Sequence, residues 1–147
     1  MKILLIPLLF LLSFNVNAYD CTELSVEEEW KSADKIFYGR VLEGKYKEER
    51  GTEFTLFKVK SLHGYKGRIN SVEEVVGEYG YINLRVGDHA IIFMQQSKMI
   101  ESCGNSQPLA KYLLSEESLD RADLSPKFRS LLVKLLNTGG VSPNKKF

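Results

Sequence analysis

The spacing of apolar positions changes along this chain, and each change marks an element. Residues 3 to 14 are apolar apart from Pro7 and Ser13. From Ser25 the spacing becomes helical: Val26, Trp30 and Ala33 share one face at i, i+4 and i+7. Ser25-Val26-Glu27-Glu28 reads as a capping box, and acidic Glu27, Glu28 and Glu29 suit the positive end of a helix dipole. A short amphipathic helix is predicted, with Trp30 as a core anchor. The period then drops to two. "KIFYGRVLEGKYK" (35–47) alternates, with Phe37, Gly39 and Val41 on one face, and Gly39 inside the run signals sharp coiling or a close backbone approach. "EERG" (48–51) is a charged turn, "TEFTLFKVKSL" (52–62) a second strand and "HGYKG" (63–67) a turn cluster. "INSVEEVVG" (69–77) is a weaker strand and "HAIIFMQQ" (89–96) a strong central one, with "KMIESC" (98–103) returning as its hairpin partner. Near the end Ser125 caps a helix with Pro126 at its first position, and Phe128, Leu131, Leu132 and Leu135 form an apolar stripe that Gly139 and Gly140 stop. That stripe is expected to pack on the barrel. Coiled antiparallel strands flanked by short helices fit a small closed barrel, and by pattern alone a sandwich as well.

The apolar opening changes the picture of where the chain works. Lys2 precedes the run, and Val16-Asn17-Ala18 follows it in the small-x-small order of a signal-peptidase site. The run falls short of the roughly 20 residues needed to span a bilayer. Residues 1–18 therefore read as a signal peptide, with a mature chain from Tyr19, exported to an extracellular or periplasmic space and without stable membrane insertion. The predicted organisation is a barrel over 19–114, a helical segment over 115–138 and a disordered tail over 139–147.

Lys and Arg number 20 against 19 Asp and Glu, a balance that argues against a nucleic-acid surface. Two cysteines, Cys21 and Cys103, lie in a chain expected in an oxidising compartment, so one disulfide is their simplest state. Tyr19 and Asp20 stand where a lipobox would need small residues, which argues against a lipid on Cys21. Closing a loop of about 80 residues would remove roughly 4–5 kcal/mol of chain entropy from the unfolded state.

Legible catalytic chemistry is sparse. His63 and His89 lack metal-ligand spacing, there is no G-x-S-x-G elbow or P-loop, and the cysteines are too far apart for a C-x-x-C centre. No enzyme activity, metal or cofactor is expected.

Several stretches together resemble the netrin-like module shared with tissue inhibitors of metalloproteinases. "SADKIFYGRV" (32–41) resembles that family's first strand, and "FKVKSLHGYKG" (57–67) its second strand with a Lys-Gly turn. "LRVGDHAIIFM" (84–94) is similar to its entry into a central strand, and "ESCGNSQPL" (101–109) to its late Cys followed by Ser and Pro-Leu. The likeness spans roughly residues 19 to 110 and implies a mainly β, five-stranded OB-type barrel, here with a short N-terminal helix and a C-terminal amphipathic helix. Members often begin Cys-x-Cys. Here Tyr19 takes the first cysteine's place, and Tyr79 lies near its usual partner's, so one bridge is replaced at both ends while Cys21 and Cys103 match the second.

The resemblance implies a non-catalytic module that recognises a protein in the cell envelope or outside the cell. Its alternative is inhibition of a zinc metalloprotease through the α-amine of Tyr19. Joining Cys21 to Cys103 would bring "YDCTEL" and "GNSQP" together, making Tyr19, Asp20, Thr22, Asn105 and Gln107 the expected interaction rim.

Overall fold

In the computed structural model, which describes residues 24–80, 82–100, 104–109 and 125–139, the first helix forms where its capping box predicts. Helix α1 runs Val26–Ser32. The Glu28 amide donates to Ser25 Oγ at 3.2 Å while the Ser25 amide donates to Glu28 Oε2 at 3.0 Å. The other end is held by Lys66, whose ammonium donates to the carbonyls of Trp30 and Lys31 at 2.7 and 2.9 Å. That places a cation at the negative end of the helix.

Strands β1 (Lys35–Glu49) and β2 (Thr52–Lys66) form one long hairpin. Its turn has φ of 53° at Arg50 and 77° at Gly51, the two positive values of a tight hairpin loop matched to strand twist. β3 (Val72–Glu78) pairs antiparallel with β2, and β4 (His89–Met94) antiparallel with β1. The short β5 (Met99–Ile100) lies parallel to β3, and β6 (Gln107–Pro108) antiparallel to β4. The sheet order is β5-β3-β2-β1-β4-β6. The described strands therefore make a mainly β, curled six-stranded sheet, with helices α1 and α2 (Pro126–Asn137) beside it.

Three slips in the β1–β2 register curl it. Between Ile36↔Lys66 and Phe37↔Gly64 the extra residue is Tyr65; between Tyr38↔His63 and Gly39↔Ser61 it is Leu62; between Val41↔Val59 and Glu43↔Lys58 it is Leu42. A bulge bends its strand and increases local twist. The expected turn at 63–67 is corrected by this pairing: β2 continues to Lys66, and its surplus residues are taken up as bulges, with Leu62 and Tyr65 packed against the outer core. The expected hairpin from 98 also changes. After Gln95 the chain turns, Lys98 adopts φ 65°, and Met99–Ile100 joins β3 in parallel; β4 meets it through Gln95 N–H donating to Met99 O at 2.9 Å.

Two cores lie on opposite faces of β1 and β4. The inner one gathers Phe37, Val41, Phe57, Val59, Val75, Ala90, Ile92 and Ile100 within the curl. The outer one joins Ile36, Tyr38, Ile91 and Phe93 to Val26 and Ala33 of α1 and to Leu131, Leu132 and Leu135 of α2. The C-terminal stripe thus packs on the sheet, as its spacing predicts. Trp30 is partly buried there, edge-on to Phe93 at 6.0 Å and to Tyr65 at 6.3 Å. Lys134 ties the helices through Glu27 at 2.8 Å and stands 5.4 Å from the centre of the Trp30 ring. No helix among the described residues is long and apolar enough to cross a membrane.

Candidate functional site

Of the expected rim, Tyr19, Asp20 and Thr22 lie outside the described residues, as do Cys21 and Cys103. Gln107 sits in β6 opposite Ile91 and is half-buried. Asn105 does not belong to an exposed rim, because it is buried. Its backbone N–H and Nδ2 both donate to Glu29 Oε2, at 2.5 and 2.6 Å, and Nδ2 also reaches Leu24 O at 3.5 Å. Glu29 itself departs from its expected place on a solvated helix start: it is buried beside Asn105. A carboxylate inside a protein requires donors, and the amide-rich "GNS" segment supplies them. The pair pins that segment to α1 and is a clamp, not a contact surface.

The histidines are absorbed into aromatic packing. His63 lies edge-on to Tyr65 with ring centres 4.7 Å apart, and His89 stacks on Tyr38 at 5.8 Å. Among the described residues no group of three His, Cys, Asp or Glu side chains is placed to hold a metal.

A different surface emerges at the tip of the β1–β2 hairpin. β4 pairs with β1 only from Lys35 to Arg40, so the hairpin beyond Glu43 projects past it. On one face of this projection stand Tyr46 and Glu48, with Glu53 opposite Glu48 and Tyr79 just past the end of β3. The rings of Tyr46 and Tyr79 meet edge to face at 5.0 Å, and the residues are 48% and 53% exposed. The Tyr46 hydroxyl donates to Glu53 Oε1 at 2.8 Å, which fixes its ring and, by stabilising the protonated phenol, pushes its pKa up to about 12. Beside them an open cleft of about 460 Å³ is lined by Glu48, Gly51, Thr52, Glu53, Glu78 and Tyr79. Lys45 and Lys47, one residue out of phase, take the opposite face.

Sequence reasoning missed Tyr46 because the bulge at Leu42 swaps the faces of every residue after it. The visible signal was the adjacent apolar pair Val41-Leu42 interrupting the alternation.

A second depression, of about 530 Å³, lies between β3 and the β4–β5 turn. Glu73, though in a strand, is buried there, and Lys35 Nζ, Asn70 N–H and Asn70 Nδ2 all donate to its Oε1, at 2.8, 2.7 and 3.0 Å. No protein-family model matches this chain, and no curated protein is significantly similar to it.

Proposed function

We propose that this chain is an exported, non-catalytic binding module, an OB-type barrel of the netrin-like kind, that recognises a protein partner. The observation that carries the reading is the Tyr46–Tyr79 pair: two large aromatic side chains, each about half exposed, held in a fixed mutual orientation on a projecting hairpin. Tyrosine offers wide apolar area with a polar tip and few rotatable bonds, which is why interfaces are enriched in it. Strand order supports the barrel reading. β1-β2-β3 continue through a parallel β5, and β4 leads from β1 into β5, a connectivity shared with OB-type barrels; β6 is an addition. In such barrels recognition uses the strand face and the loop rim, and the β1–β2 hairpin is part of that rim. The proposal includes pairing of Cys21 with Cys103, both outside the described residues.

The test is a photo-crosslinking amino acid placed at position 79, or at exposed Val133 on α2 as a control, in the full chain made by an exporting host. A discrete protein adduct from position 79, absent from 133 and lost with Tyr46→Ala, is expected. Equal adducts from both positions, or none, would overturn the reading. So would zinc-metalloprotease inhibition by a chain starting at Tyr19 that disappears when one Ala is added in front.

A further inference from the structure

We infer that the lower edge of β3 is a strand-addition site for an extended peptide bearing an arginine or lysine side chain. The inference is independent of the hairpin surface, because it rests on backbone groups at the other end of β3. Val76 N–H donates to Lys98 O at 2.8 Å, so the peptide groups of Val76 point away from β2 and toward β5. Strand geometry repeats every second residue, and the β2–β3 register runs without a slip. The N–H and C=O of Glu74 and Val72 therefore point the same way. β5 reaches only Val76 and Gly77, because Lys98, at φ 65°, turns the preceding chain away. Below Val76 the edge has no strand partner among the described residues, and it opens onto the cleft of about 530 Å³. An unpaired strand edge beside a cleft is the arrangement that accepts an added strand.

The chemistry of the cleft selects the side chain. Glu73 is 5% exposed and its three described donors all bind Oε1, leaving Oε2 without a donor among the described residues. Asp34 also lines the cleft, and its carboxylate has no hydrogen-bond or ion-pair partner among the described residues. Of the two lysines among the described lining residues, Lys35 is committed to Glu73 Oε1 and Lys98 to Glu74 at 2.9 Å. One carboxylate is thus in surplus, and a buried or half-buried carboxylate gains most from a charge-assisted donor. A peptide laid along β3 would alternate. Side chains on the inner side would face Glu73 and Asp34, and those on the outer side would lie beside Val72, which is 44% exposed.

The experiment uses the ¹⁵N-labelled full chain and the acetylated, amidated probe Thr-Val-Arg-Val-Thr. Saturable amide shifts confined to residues 70–76 and 94–98, with slowed hydrogen exchange at Val72 and Glu74, are expected. Replacing the probe's arginine by citrulline should weaken binding roughly tenfold, and the loss should vanish in Glu73→Gln or, if that variant folds poorly, in Asp34→Asn. N-methylation settles the backbone part. Alternate N–H groups of a strand point to opposite sides, so methylating both valines and methylating the arginine must act differently: one is tolerated and the other abolishes binding. Retention by both, or loss in both, would overturn strand addition. Equal binding of the citrulline probe would overturn the basic side chain. Shifts at Val72 and Glu74 that grow with protein concentration alone would give the edge to a second copy instead.

Discussion

Gly39 offers the sharpest check on how the sheet coils. A Cβ built there would stand 2.6 Å from the backbone oxygen of Lys60 and 2.7 Å from Val59 Cγ1. An ordinary C···O approach between strands is about 3.3–3.6 Å, so β1 and β2 would have to part by roughly 0.7 Å against a normal spacing of about 4.8 Å. Paired residues flank Gly39 on both sides, Tyr38↔His63 before it and Arg40↔Lys60 after it, and β4 pairs with the other edge of β1, so the strands resist parting locally. Overpacking of this kind costs about 1–3 kcal/mol. Losing glycine's unfolded-state freedom returns about 0.4–1 kcal/mol. Gly39→Ala should therefore destabilise by about 1–2 kcal/mol. Gly44, on the same strand, supplies the control. Its nearest neighbour would be the Phe57 ring at 3.4 Å, an ordinary contact, so Gly44→Ala should be neutral or stabilising by up to about 1 kcal/mol. Urea unfolding followed through Trp30 fluorescence reads both, as midpoints at constant slope. If Gly39→Ala unfolds at the wild-type midpoint, or Gly44→Ala loses as much as Gly39→Ala, close strand approach does not explain the glycine.

The remaining predictions follow from the clamp, the buried phenol and the thiols. Asn105→Ala removes the Nδ2 donor to buried Glu29 Oε2 and should cost about 1.5–3 kcal/mol in the same assay, whereas Gln107→Ala should cost under about 0.5 kcal/mol. Burial pushes the Tyr38 phenol up to about 12. A proton held more tightly in the folded state gives stability that is complete below the unfolded value near 10 and is lost as pH rises through 12, so the wild type should weaken over that window and Tyr38→Phe should weaken less. At neutral pH Tyr38→Phe should also be no less stable than wild type, since the buried hydroxyl has no hydrogen-bond partner among the described residues. Alkylation of the unfolded, unreduced protein from an exporting host should label neither Cys21 nor Cys103, and two labelled thiols would refute the pairing.

What was legible in the sequence was whatever a local pattern determines alone. The capping box of α1, the Arg50-Gly51 turn and the leucine stripe of α2 each depend on residues within a turn or two of one another. Gly39 was legible too, because a glycine amid apolar strand residues has few other uses. The errors share a cause, which is that long-range pairing overruled a local reading. "HGYKG" has the composition of a turn, yet thirteen β1–β2 residue pairs leave the strand no reason to end there. Glu29 has the composition of a solvated helix start, yet donors 76 residues away draw it inside. Glu73, which no local pattern singles out, is buried against Lys35, 38 residues away.

The same reasoning explains why the candidate surfaces lay elsewhere than expected. If β1 alternated without interruption, the face of Phe37, Gly39 and Val41 would continue through Glu43, Lys45 and Lys47. Tyr46 would then fall on the far side from Tyr79. One extra residue, Leu42, reverses this, so that Gly44, Tyr46 and Glu48 continue the inner face and the two lysines turn outward. The aromatic pair, the hydrogen bond to Glu53 and the placing of Glu48 on the face opposite Lys45 and Lys47 all depend on that one-residue slip. A bulge is a property of two paired strands, so no reading of β1 alone places it. At the other end of the sheet, the turn at Lys98 likewise acts on a strand it is not part of. By steering the chain clear of β3 below Val76, it leaves the peptide groups of Val72 and Glu74 without a strand partner among the described residues, beside a carboxylate whose described donors all bind one oxygen.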